Sequence, residues 1–61
     1  MNFDYAIDCL QERVRVLESN VTEWERENDP HAINKPRADF ARARIEELEA
    51  CIELLQREER K

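Results

Sequence analysis

Glycine does not occur anywhere in this chain of 61 residues. That absence removes glycine-rich phosphate loops. Cysteine is nearly as scarce. Cys9 and Cys51 are too few for the disulfide framework of a small secreted domain. Nowhere do apolar residues run on for the roughly 20 positions that cross a bilayer. The opening "MNFDYAIDCL" lacks the basic stretch followed by an apolar core that marks a signal peptide. The sequon at Asn20–Thr22 is accordingly read as a chance match, and a reduced cytoplasm is the expected location. Histidine occurs once, and both prolines fall inside "NDPHAINKP", residues 28–36.

What remains is mostly helix-forming. Charged residues make up 41% of the chain, and only apolar periodicity separates such a composition from disorder. The periodicity is there. In the first half Phe3, Ile7, Leu10, Val14, Leu17, Val21 and Trp24 recur at alternating spacings of four and three, the signature of one apolar seam along a helix. Asn2 is placed to cap this helix, with Asp4 in its first turn. The stretch "SNVT" is a poor helix former, and Thr22 with Glu25 could open a new helix as a capping box. The heptad phase nevertheless continues through it, so one helix over about 2–27 is expected. In the second half Ala38, Ala41, Ile45, Leu48, Ile52 and Leu55 repeat in the same way. They define a second helix over about 36–60, begun by Pro36, whose missing N–H is harmless in a first turn.

Residues 28–35 are therefore read as a turn, with Asp29 capping a short turn at Pro30 and Lys35 held out of helical angles by Pro36. Reversing the chain there brings the two seams together in one register. Leu10 faces Leu55, Leu17 faces Leu48 and Trp24 faces Ala41; Ile7 faces Glu59, Val14 faces Ile52 and Val21 faces Ile45. Bulky Trp24 against small Ala41 is a size match beside the turn. Charge agrees with this register. Residues 1–29 carry eight acids and three bases, residues 30–61 seven of each, and reversal sets Glu25 near Arg42 and Glu27 near Arg37. The expected fold is all-α, an antiparallel two-helix hairpin forming a single domain.

Two helices alone bury little. Tyr5, Cys9 and Val16 lie off the first seam, Phe40, Cys51 and Leu54 lie off the second, and Phe3 overhangs the end of its partner helix. These seven residues form a candidate second interface. A homodimer of hairpins in a four-helix bundle is the simplest way to cover them. Two prolines at the midpoint oppose one continuous parallel coiled coil.

Catalytic chemistry finds little footing. His31 has Asp29 nearby, but Cys51 lies 15 residues into the second helix, roughly 22 Å along it at about 1.5 Å per residue. HExxH and CxxC are absent, and acid pairs such as Glu46–Glu47 and Glu58–Glu59 suit solvated helix faces. Cys9 and Cys51 are offset by about five residues across the hairpin, too far for an intramolecular bridge. No catalytic residue, cofactor or metal ligand is expected. Lys35, Arg37, Arg42 and Arg44 beside Phe40 form an alternative nucleic-acid patch, opposed by the acids of the first helix and a net charge of −5.

In layout the chain resembles the Rop family of plasmid copy-number regulators, short acidic hairpins that dimerise into four-helix bundles and bind paired RNA loops. No motif is shared. The resemblance implies an RNA-binding regulator as the alternative function. The leading expectation is a small non-enzymatic protein–protein interaction module. It would self-associate and act on a larger partner as an adaptor, inhibitor or regulator, encoded by a phage or mobile element. His31 in the turn joins Tyr5, Val16, Phe40 and Leu54 as expected partner-facing positions.

Overall fold

The computed structural model of the chain describes residues 2–27 and 32–60. Helix α1 spans Asp4–Arg26 and helix α2 spans Asn34–Glu59, and the two pack side by side as an antiparallel hairpin. Its backbone extends about 50 × 15 × 10 Å. Residues 28–31 of the expected turn at 28–35, with the expected Asp29 cap, Pro30 and His31, lie outside the described residues.

Helix α1 is unbroken through "SNVT". Thr22 does not open a new helix there; its hydroxyl donates back to the Glu18 carbonyl at 3.0 Å, one way a mid-helix threonine satisfies its polar group. The N-cap position is Phe3, with no side-chain cap, and not the expected Asn2; Asn2 lies one residue outside it, where its Oδ1 accepts from the Asp4 N–H at 2.8 Å. At the same end the Phe3 N–H donates to Glu59 Oε1 at 2.7 Å, linking the start of α1 to the last turn of α2.

Helix α2 begins two residues before the expected Pro36. Asn34 and Lys35 are helical, and Pro36 occupies the third helical position. Proline is acceptable there because the first four N–H groups of a helix have no intrahelical acceptor. The usual bias of a pre-proline residue away from helical angles is overridden at Lys35, and the reason lies in its neighbour. Asn34 is buried, and its side-chain amide donates to the Trp24 carbonyl at 3.4 Å and to Glu27 Oε2 at 2.9 Å. One side chain thus satisfies an open carbonyl at the end of α1 while fixing the first turn of α2. Just before it, Ala32 takes a φ of 53°, a left-handed conformation that costs a residue with a Cβ about 1–2 kcal/mol.

The register is the expected one. Val21, Ala38 and Ala41 form the buried core, with Leu17, Trp24 and Ile45 packed against it. Val14 and Ile52 share a groove, as do Val21 and Ile45, Leu17 and Leu48, and Trp24 and Ala41. Arg42 Nη2 meets Glu25 Oε1 across the seam at 2.8 Å. The expected pairing of Glu27 with Arg37 is replaced by the bond from Asn34, because Glu27 and Asn34 border one groove and Arg37 borders the other. The remaining ion pairs run along single helices and are solvent-exposed, so each contributes about 0.2–1 kcal/mol or less.

Candidate interaction surfaces

The hairpin has two long grooves, one on each side of the seam, and they differ in chemistry. The first is lined by Gln11, Glu18 and Thr22 of α1 and by Arg42, Glu49 and Glu53 of α2. Counting its whole length, Glu18, Glu25, Glu27, Glu46, Glu49 and Glu53 stand against Arg15, Lys35 and Arg42. Carboxylates outnumber cations along it, and no aromatic residue but Trp24 at its end borders it.

The second groove is lined by Arg13, Leu17, Asn20 and Trp24 of α1 and by Arg37, Phe40, Arg44, Leu48 and Cys51 of α2. The Phe40 ring is 63% exposed and has the Arg44 guanidinium over it, 5.0 Å from the ring centre. Positions three and four apart are neighbours on a helix surface. Cys9 and Val16 flank Arg13 in this way, and Leu54, 58% exposed, follows Cys51. Cys9, Val16, Phe40, Cys51 and Leu54 consequently belong to one side of the molecule, with half-buried Phe3 at its open end. Tyr5 is next to Cys9 on the helix but lies one step further round, opposite the seam. At 83% exposed it stands on the back of α1, away from the seam. Both thiols are free and exposed.

The candidate nucleic-acid cations are largely engaged. Lys35 pairs with Asp39, Arg42 with Glu25 and Asp39, and Arg44 with Glu47. Among the described residues only Arg37 of the four has no carboxylate partner. Also among the described residues, no three His, Cys, Asp or Glu side chains converge as metal ligands would, and no helix is long and apolar enough to cross a membrane. Comparison with family models, with curated proteins and with solved structures finds no match to this chain.

Sequence reasoning missed Asn34 and Ile33. Ile33 is 46% exposed beside the reversal, an apolar side chain hidden from heptad reading because it precedes α2. Asn34 stands two residues before Pro36, where an asparagine is a candidate helix start, but in the fold it is the first helical residue and makes no N-cap.

Proposed function

We propose that this chain is a non-enzymatic protein–protein interaction module, a self-associating helical hairpin that offers a rigid surface to a larger protein partner as an adaptor, inhibitor or regulator. The observation that carries the reading is the set of large apolar side chains left in solvent: Tyr5 on the back of α1, Ile33 just before α2, and Val16, Phe40 and Leu54 on one side of the hairpin. Apolar surface grouped on rigid helices is where helical partners dock. A small regulator of this kind suits a phage or mobile element acting on a host protein inside the cytoplasm.

The test is capture on immobilised chain, comparing wild type with Tyr5→Ser. A protein retained by the wild type, lost on Tyr5→Ser and held at high salt supports the reading. Retention that ignores Tyr5 and every other exposed apolar residue overturns it.

The RNA-binding alternative draws on Arg13 and Arg37, the cations bordering the Phe40 groove that have no ion pair among the described residues. Phosphate binding by these arginines would weaken steeply as salt rises, whereas apolar docking would not.

A further inference from the structure

We infer that the Phe40 side of the hairpin is covered by a second copy of this chain, while the opposite groove and Tyr5 stay outside the interface. The inference rests on the self-association proposed above and names the surface that performs it.

Three observations select the occupant. The first is charge. A two-fold interface sets a surface against itself, so a surface of one sign repels its own copy. The groove on the far side is rich in carboxylates along its whole length. On the Phe40 side the cations Arg13, Arg37 and Arg44 are matched by Glu23, Glu47 and Glu58 at the corresponding helix positions. Of these, Arg13, Arg37 and Glu23 have no ion-pair partner among the described residues. A second copy can bring its Glu23 to Arg13 or Arg37, and no surface of a single sign is set against itself.

The second observation is what lies between those charges. Cys9, Val16, Phe40, Cys51 and Leu54 are exposed, and Leu17, Trp24 and Leu48 are half-buried at the groove floor. They make an apolar strip with a charged rim, the anatomy of a protein–protein interface. The third is size. The hairpin is 50 Å long and 15 Å across its broad side, so two copies stacked on that side meet along the whole length of both helices. Stacking two such sides gives a four-helix bundle in which the half-exposed seam becomes an interior.

The two thiols provide a reading that needs no substitution. Sedimentation equilibrium should show a dimer of the 7.4 kDa chain. Over the same concentration range, Cys9 and Cys51 should react with a disulfide reagent at least about tenfold more slowly as dimer replaces monomer. Leu54→Glu should raise the dissociation constant about 30-fold or more, as expected when a charge replaces an apolar contact that the interface buries, while Glu46→Gln on the far side should leave it unchanged. A dimer whose thiols react at the monomer rate overturns the inference. So does a chain that stays monomeric at about 1 mM, or one whose association follows Glu46 and ignores Leu54. If Leu54→Glu fails to fold, thiol protection in the wild type decides alone. A monomer that still captures a protein through Tyr5 would refute this interface and leave the heterologous docking surface standing.

Discussion

The two ends of the hairpin are built differently. Near the reversal, α2 presents Ala38 and Ala41, 3% and 2% exposed, to Val21 and Trp24 of α1. Small side chains let two helices approach closely, and the indole of Trp24 reaches over the gap to border both grooves. Toward the open end the facing residues are Leu10, Val14 and Leu17 against Leu48, Ile52 and Leu55, all only half-buried. Large residues on both sides hold the helices apart, and no third element closes over them. Ile7 is the exception, buried at 7% where the ends of the helices are joined through Phe3 and Glu59. Burial in this hairpin thus concentrates where alanines on α2 form part of the seam, and the layers built of large residues on both helices stay half open.

Substitutions can break that contrast, and urea midpoints at fixed protein concentration would measure it. Trp24→Ala should be the most damaging, by about 2–3 kcal/mol, because it uncovers the alanine layer. Ala41→Leu should cost about 2 kcal/mol by forcing the close-packed end open. Leu10→Ala should cost only about 1–2 kcal/mol, because it deletes a smaller side chain than Trp24→Ala and one that is half in water. If Leu10→Ala proved worse than Trp24→Ala, the open end would be the true core and the contrast would reverse. Ala32→Gly should stabilise by about 0.5–1 kcal/mol, since relief of the left-handed strain exceeds the added backbone entropy. Smallest of all, Glu25→Gln should cost no more than about 0.5 kcal/mol and lose its effect in high salt.

The seam was legible in the sequence because heptad spacing is long-range information repeated many times over. Seven apolar positions in α1 and six in α2 admit one antiparallel register, and Glu25 with Arg42 falls into place from it. The beginning of α2 was not legible in the same way. A local rule about the residue before proline competes there with a tertiary hydrogen bond from Asn34 to the end of α1, and only the folded chain shows which prevails. Ala32 was hidden for a related reason. With no glycine available, nothing in the residue type marks where a left-handed angle is needed. The side of the molecule shared by Cys9, Val16, Phe40, Cys51 and Leu54 was half legible: each was seen to lie off its seam, but their common side depends on how the two helices face each other, which also separates Tyr5 from them.

The bond between the Phe3 amide and the Glu59 carboxylate has a mechanical corollary. Because those two points sit together at one pole, force applied between them would peel the helices apart layer by layer instead of shearing them as a block. The loosely covered leucine layers would part first at low load, and the alanine layer beneath Trp24 would hold longest, so a stretched molecule would pause with its last turns near the reversal still zipped.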